Sequence, residues 1–181
     1  MVVTMIYFVT SNKGKFDEAR GVLGELEMRD IGYTEIQADT LEEVVRFGIK
    51  EVHSKIGAPV MIEDAGLFIA GLKGFPGVYS AYVQRTIGND GVLRLMESIM
   101  DRRAIFRSVV AYIEPGLEAA IFEGEVHGKI GFQASGSLGF GYDPIFYVNN
   151  KSIAEMSLAE KNMISHRGNS MGQLKQWLRN R

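Results

Sequence analysis

In the first half of the chain, short apolar runs alternate with stretches of helical periodicity. Val2 to Val9 is a continuous run rich in β-branched and aromatic residues, which is typical of a buried strand. The polar turn Thr10-Ser11-Asn12 leads from it into a helix of roughly 13–27. The pattern then predicts a strand over 31–37, a helix over 40–54 that opens on the capping box Thr40-x-x-Glu43, and a strand at 60–62.

The second half has more turn signals and more glycine. The segment Glu114-Pro115-Gly116 lies between two apolar runs, which indicates a β-hairpin. A second capping box, Ser157-x-x-Glu160, opens the terminal helical region. The elements predicted here are, in order, a turn-rich loop over 71–77, mainly helix over 79–100, strands over 103–114 and 117–127, a glycine-rich segment over 135–142 and a short strand over 144–148. Alternating elements followed by a hairpin predict an α/β fold with a mixed twisted sheet flanked by helices.

Composition limits the class of protein. No linker, repeat or low-complexity segment divides the 181 residues, so we predict one domain, 1–181. With 20 Lys+Arg against 22 Asp+Glu, the net charge of −2 argues against nucleic acid or a membrane surface as a partner. The absence of cysteine excludes disulfides, thiol nucleophiles and thiolate zinc sites, and it fits the reducing cytoplasm. The basic residues are uneven, however: 161–181 holds five and no acidic residue.

The first candidate site is the junction of the first strand and helix, with the sequence Thr10-Ser11-Asn12-Lys13-Gly14-Lys15. Free N–H groups and partial positive charge at a helix start, together with two lysines, would bind phosphate. The segment is not a Walker A loop, because Phe16 follows Lys15 where that motif has Ser or Thr. The alternative interpretation is a capped helix with solvated lysines.

The second candidate is the acidic pair Glu63-Asp64, with Glu35 as a possible distant partner. Neighbouring strand residues face opposite sides, so we expect one of the pair, Asp64, to serve the site. Mg²⁺ takes one or two carboxylates together with water and phosphate oxygens, which suits such a position. The alternative is a surface turn.

Two further segments carry candidate ligand-binding residues. In Leu138-Gly139-Phe140-Gly141-Tyr142-Asp143-Pro144, the glycines leave one face of Phe140 free to stack on a base; the alternative is a ring that packs inward. In the segment 160–168, Lys161 and Arg167 can converge only if the helix breaks near Ser165, which we predict. The alternative is that His166 and Arg167 have a solvated or packing role.

Taken in order, the blocks TSNKGK, EDAGL, KGFPGVYS, GFGYDPIF and AEMSLAEKNMISHRG resemble the inosine/xanthosine triphosphate pyrophosphatase family over residues 10 to 168. The resemblance implies two lobes with a nucleotide cleft between them, a homodimer, and Mg²⁺-dependent hydrolysis of deaminated purine nucleoside triphosphates (ITP, dITP, XTP) to the monophosphate and pyrophosphate.

The resemblance also assigns roles by position. It implies that Glu35 and Asp64 hold the metal and that Asp64 is the catalytic base. It implies that phosphates and base are bound by Thr10, Ser11, Asn12, Lys13, Gly14, Lys15, Ala65, Phe140, Gly141, Tyr142, Asp143, Lys161, His166 and Arg167. Two positions depart from many relatives: Ala65 replaces a hydroxyl residue, and Phe47 stands where a helix lysine is common, with Arg46 and Lys50 nearby.

Two rival functions remain at this stage. A nucleotide-binding sensor would keep the helix start and the stacking residue without needing Glu35 and Asp64. A related pyrophosphatase for modified pyrimidine nucleotides would differ only in the residues around the base.

Overall fold

The computed structural model describes residues 5–181 and contains one mixed sheet with helices on both faces. The strands are β1 (Ile6–Val9), β2 (Leu26–Arg29), β3 (Val60–Ile69), β4 (Pro76–Gly77), β5 (Arg103–Ile113), β6 (Ala120–Ile130), β7 (Phe146–Val148) and β8 (Lys151–Ser152). The helices are α1 (Lys13–Leu23), α2 (Leu41–Ile56), α3 (Ser80–Thr86), α4 (Gly88–Leu95), α5 (Leu158–Ile164) and α6 (His166–Arg179). The predicted mixed α/β class is confirmed.

The sheet has the strand order β2-β1-β3-β5-β6-β7-β8, with β4 paired to β3. β1 pairs in parallel with β2 and β3, whereas β3, β5, β6, β7 and β8 pair antiparallel. β3, β5 and β6 are the longest strands, and residues from each contribute to more than one apolar cluster. They therefore carry two separate regions of core.

Three apolar clusters define two lobes. In the first lobe α1 and α6 cover one face of the sheet around Phe8 and Met171, and α2 covers the other around Val45 and Ile62. The second lobe packs α3 and α4 against the far half of β3, β5 and β6 around Phe146. The candidate site lies where these lobes meet.

The second strand lies at a different place from the predicted one. α1 ends at Leu23 because Gly24 takes a positive φ of 92° as its C-cap, and β2 then begins at Leu26. The predicted strand over 31–37 is wrong: this segment has no regular structure. The predicted strand at 2–9 is observed over Ile6–Val9, and its residues 2–4 lie outside the described part of the chain.

β3 does not end at the acidic pair but continues to Ile69, paired with β5 along its length. Both predicted capping boxes are present, at Thr40 and at Ser157. The predicted helix break is also confirmed, because Ser165 separates α5 from α6 and accepts a hydrogen bond from the Gly168 N–H at 3.0 Å. Arg167 is thereby turned towards the elements that carry Lys15 and Glu63.

Candidate active site

A cavity of about 410 Å³ between the lobes gathers residues from all four candidate segments. The predicted residues that line it are Asn12, Lys15, Asp64, Ala65, Phe140, Gly141, Tyr142, Asp143, Lys161, His166 and Arg167. Thr10, Ser11, Lys13, Gly14 and Glu35 are not among its lining residues. One cavity thus combines cations, carboxylates and a half-buried aromatic ring, that of Phe140.

The start of α1 has the expected cap. Asn12 is the N-cap, and its side-chain oxygen accepts a hydrogen bond from the Lys15 N–H at 3.0 Å. Thr10 in turn accepts from the Asn12 N–H at 3.1 Å, while the side chains of Ser11 and Lys13 are exposed. Gly14 is needed for space, because a Cβ there would lie 2.5 Å from the Phe140 ring. The helix start and the aromatic ring are therefore neighbours.

The loop that carries Phe140 is held in a fixed shape. Gly139 and Gly141 have positive φ angles of 74° and 62°. The Phe140 N–H donates to the Asp143 carboxylate at 2.8 Å, and that carboxylate also forms an ion pair with Lys161. Lys161 Nζ lies 4.7 Å and Arg167 Cζ 5.6 Å from the centre of the Phe140 ring. Phe140 therefore lines the cavity against two buried cations.

A buried ionic network lies behind the cavity, and sequence reasoning missed one of its members, Glu18. The carboxylate of Glu18 is 2.6 Å from Lys161 Nζ and 2.6 Å from Arg167 Nη1. Glu63 joins the same network, 3.0 Å from Arg167 and 3.0 Å from Lys15. The partners of Glu18 are far away in sequence, so no local spacing indicates its role.

Glu63 and Asp64 face opposite sides of β3, as predicted. Burial alone would raise the pKa of Glu63, but Arg167 and Lys15 lower it to about 2. Burial raises the pKa of Asp64 to about 6; Lys15 opposes this rise, and the charges of Glu63 and Glu35 add to it. Glu63 is therefore a fixed anion within the network, while Asp64 lines the cavity.

His166 is the third titratable group of the site. Its ring stacks on Phe106 with a centroid distance of 4.7 Å and an interplanar angle of 14°. Burial lowers its pKa well below the usual value, and the neighbouring charge of Arg167 lowers it further. The imidazole is therefore neutral at pH 7, and its Nδ1 has no hydrogen-bond partner among the described residues.

The carboxylates offer a limited set of metal ligands. Glu35 is exposed on the segment between β2 and α2, and its charge is one of those that raise the pKa of Asp64. Within residues 5–181 no group of three or more His, Asp or Glu could hold an ion. One or two carboxylates nevertheless suit Mg²⁺, which takes its other ligands from water and phosphate oxygens. The donor set at Asp64 and Glu35 therefore fits this metal.

Of the two positions that depart from many relatives, Ala65 lines the first cavity and Phe47 lies on the exposed face of α2. Phe47, Arg46 and Lys50 line a second cavity of about 680 Å³, together with Tyr79. The Arg46 side chain is paired with Glu42 at 2.6 Å.

Five further residues line the first cavity and were not predicted from the sequence. They are Ser80, Ala81, Gln84, Arg85 and Phe106.

The fold has two lobes, and the cavity between them is lined by cations, a carboxylate and an aromatic ring. These features assign the chain to the class of nucleotide-binding α/β proteins. Residues 6–177 match the model of the Ham1 family, and the chain belongs to this family.

Relatives agree with that assignment over nearly their whole length. A dITP/XTP pyrophosphatase from Pyrococcus horikoshii is 49% identical, with 96% of each chain covered, and one from Thermococcus kodakarensis is 48% identical, with 95% of this chain and 96% of that protein covered. Among solved structures, a HAM1 protein from Coxiella burnetii aligns with a TM-score of 0.86 at 30% identity, covering 99% of this chain and 100% of that one.

Across the part of the chain that the structure describes, no helix is both long and apolar enough to cross a membrane.

Proposed function

We propose that this protein hydrolyses deaminated purine nucleoside triphosphates (ITP, dITP and XTP) to the monophosphate and pyrophosphate, with Mg²⁺ as cofactor. The observation that carries the proposal is the single cavity in which Asp64, Phe140 and the cations Lys15, Lys161 and Arg167 meet. The names of the relatives from Pyrococcus and Thermococcus support this substrate class. Removing such nucleotides from the pool is a cytoplasmic task, so we also propose that location.

Cleavage to monophosphate requires water to attack the α-phosphorus while pyrophosphate leaves. Lys13, Lys15 and the N–H groups at the start of α1 neutralise the charge that develops on the leaving group. Glu35 and Asp64 would hold Mg²⁺, which supplies further positive charge to the phosphate oxygens. Burial raises the pKa of Asp64 to about 6, so its carboxylate is ionised at pH 7 and could ligate Mg²⁺. Because a bound metal stabilises the ionised form of a carboxylate, the proton of the attacking water would go either to a second carboxylate or to solvent, from a water whose pKa the metal would lower.

The base would stack on Phe140, an interaction worth about 1–3 kcal/mol in nucleic-acid binders. Lys161, His166 and Arg167 would contact the base and phosphates from the side of α5 and α6, and Ala65 and the 140–143 segment would complete the walls; all of these residues line the cavity. A 6-oxopurine needs a hydrogen-bond donor opposite its 6-oxygen. The 6-amino group of adenine would instead place a donor against that donor, which is the basis for rejecting ATP.

The test is a panel of ITP, XTP, GTP and ATP with Mg²⁺, in which pyrophosphate and orthophosphate are measured separately. We expect pyrophosphate from ITP and XTP and little product from ATP. Orthophosphate as the only product would contradict cleavage at the α-phosphorus. Binding of ITP without any release would favour the non-hydrolysing sensor, and faster hydrolysis of modified pyrimidine triphosphates would favour the third interpretation.

We also propose that the protein is a homodimer. Large apolar side chains are exposed along 75–87, at Phe75, Tyr79, Tyr82 and Ile87, which is consistent with a surface that a second copy covers. Light scattering coupled to gel filtration measures the mass directly, and a mass equal to one chain at micromolar concentration would contradict the proposal.

A further inference from the structure

Two side-chain amides, Gln84 on α3 and Asn89 on α4, converge on one backbone carbonyl of the cavity wall. Gln84 Nε2 donates to the Gly141 carbonyl at 3.1 Å, and Asn89 Nδ2 donates to the same oxygen at 3.0 Å. The carbonyl oxygen can only accept, so the amide nitrogens must face it and the amide oxygens must face away. Both amide oxygens are buried and have no partner among the described residues.

Two buried acceptors without partners are unusual, because nearly all buried polar groups in proteins are hydrogen-bonded. Among the described residues, the amides thus leave both of their oxygens unpaired while both of their nitrogens donate to Gly141. That residue has a φ of 62°, and a Cβ added to it would meet nothing within 4 Å, so glycine is required here by conformation and not by space. A glycine at this position also makes rotation of the following peptide group easy, and the two amides oppose that rotation.

The direction of this peptide determines what the cavity offers to a base. In a trans peptide the C=O and the next N–H point in opposite directions, and the bond between Gly141 and Tyr142 is not cis. Because the Gly141 carbonyl points to α3 and α4, the Tyr142 N–H points away from them. That N–H has no hydrogen-bond partner within residues 5–181, and Tyr142 lines the cavity.

The nearby N–H groups of Phe140 and Asp143 are already engaged, whereas the Gly141 N–H, like that of Tyr142, has no partner among the described residues. The Phe140 N–H is taken by the Asp143 carboxylate at 2.8 Å, and the Phe140 carbonyl accepts from the Asp143 N–H at 3.2 Å. The Tyr142 hydroxyl donates to the Ser80 carbonyl at 2.8 Å, which ties the loop once more to α3. The Tyr142 N–H is thus a free donor on a loop whose neighbouring groups are fixed.

On the basis of the proposed function, we infer that Gln84 and Asn89 are positioning residues for base selection. They hold the 141–142 peptide so that the cavity presents the Tyr142 N–H to the 6-oxygen of the base. If the peptide rotated, the Gly141 carbonyl would face the base and would accept from the 6-amino group of adenine. The pair therefore selects 6-oxopurines over 6-aminopurines by excluding an acceptor from the pocket.

The test compares kcat/KM for ITP and ATP in Gln84→Met, Asn89→Leu and the double variant. The ratio of the two values within one sample does not depend on how much enzyme is folded, so a merely structural defect leaves it unchanged. We expect the double variant to lower the ITP/ATP ratio by about tenfold or more, through both a lower value for ITP and a higher value for ATP.

Gln173→Met is the matched control. Gln173 Nε2 also donates to a backbone carbonyl, that of Glu123, at 2.6 Å, but from the exposed side of α6. Its ITP/ATP ratio should stay within twofold of the unmodified protein. Equal losses for ITP and ATP in the double variant would overturn the inference.

A second measurement needs no turnover. In ¹⁵N-tyrosine spectra, with the Tyr142 signal assigned by its loss in Tyr142→Phe, inosine monophosphate should shift the Tyr142 amide proton downfield and adenosine monophosphate should not. An unmoved Tyr142 amide would overturn the donor assignment. Failure of the unmodified protein to hydrolyse ITP would instead contradict the proposed function, and these nucleotide titrations would still report on the pocket.

Discussion

Glu63 and Asp64 are adjacent carboxylates whose pKa values differ widely, about 2 against about 6. The ionised form of Glu63 is stabilised by ion pairs with Arg167 and Lys15. It also accepts a hydrogen bond from the Ser108 hydroxyl at 2.7 Å. Asp64 accepts only the N–H of Ala65 among the described residues, at 2.9 Å, and lies beside other negative charge. Because successive side chains of a strand point to opposite faces, Glu63 has a structural role and Asp64 remains available for chemistry.

Asp64→Asn should lower kcat for ITP by about 100-fold or more at saturating Mg²⁺, because the variant loses the proposed metal ligand and primary catalytic residue. Its melting temperature should be equal to or higher than that of the unmodified protein, since the substitution removes a buried charge that the fold holds poorly. Steady-state kinetics and calorimetry check the two parts. Near-normal turnover would show that Asp64 has neither role.

His166 should make stability depend on pH near neutrality. Its pKa is lowered in the folded state by burial and by Arg167, with Lys161 and Lys15 acting in the same direction and Glu63 against them. Below the ordinary histidine pKa of about 6.5, the unfolded chain therefore binds a proton that the folded chain does not. The contribution of His166 to the free energy of unfolding is therefore fully present above about pH 6.5. It falls as the pH is lowered, by at most about 1.4 kcal/mol per pH unit for one proton.

Urea unfolding between pH 5 and pH 7.5 measures this effect, with His166→Gln as the comparison because glutamine does not titrate. As the pH rises from 5 to 7.5, the free energy of unfolding of the unmodified protein should increase relative to that of His166→Gln. A constant difference across the range would mean that His166 titrates as it does in the unfolded chain.

The sequence located most of the cavity residues because they stand in compact segments with distinctive residue types. Phe140 between two glycines and Asp64 after an apolar run are examples. Gln84, Asn89 and Glu18 stand in helical stretches where an amide or carboxylate is usually exposed. Only the packing of one helix against another element gives them their partners, so no local pattern could reveal them.

At the scale of elements, the segment between β2 and α2 was predicted as a strand but is held against α2 by side chains. The Tyr33 ring lies over Gly48. The Thr34 N–H donates to the Glu51 carboxylate at 3.0 Å, and Lys55 Nζ donates to the Gly32 carbonyl at 3.3 Å. These contacts place the proposed metal ligand Glu35 without any sheet pairing. The β-branched and aromatic composition that predicted a strand serves packing onto a helix instead.

Gly48→Ala should test this docking. A Cβ at Gly48 would lie 2.7 Å from the Tyr33 ring and 3.0 Å from Ile62, so we expect a loss of about 1–3 kcal/mol in the free energy of unfolding. The Mg²⁺ concentration for half-maximal activity should rise several-fold, because the segment that carries Glu35 must move. Urea unfolding and Mg²⁺ titrations measure the two effects.

Gly172→Ala is the control for that substitution. Gly172 lies within α6, and a Cβ there meets nothing within 4 Å. The usual helix preference for alanine should therefore stabilise the protein by about 0.5–1 kcal/mol. Stabilisation by Gly48→Ala of the same size would show that Tyr33 does not rest tightly on α2.

At the scale of the whole molecule, basic residues towards one end of the sequence form a buried ionic network with a carboxylate from the other end. Glu18 of α1 links Lys161 of α5 to Arg167 of α6, and all three side chains are at most 4% exposed. Glu63 connects this group to the central strand β3. The basic composition of 161–181 predicted cations near a ligand, but their partners come from elements far away in sequence.

Glu18→Gln should lower the free energy of unfolding by about 3–5 kcal/mol, because Lys161 and Arg167 each lose one of their two buried carboxylate partners and keep only Asp143 and Glu63. Glu42→Gln, which breaks the exposed pair of Glu42 with Arg46, should change it by less than about 1 kcal/mol. Thermal or urea unfolding compares the two variants. Equal effects would indicate that the buried network contributes no more than a surface ion pair.

The pairing of Glu18 with Arg167 joins positions 149 residues apart, and this has a consequence for biosynthesis. While the ribosome is still adding α5 and α6, Glu18 lacks both Lys161 and Arg167, Glu63 has only Lys15 beside it, and the Phe140 ring lacks its two cationic neighbours. A nascent chain therefore has no nucleotide pocket, and premature termination before Arg167 yields an inactive product instead of a partly active one. Capture of nucleotide therefore begins only after the start of α6 has been translated.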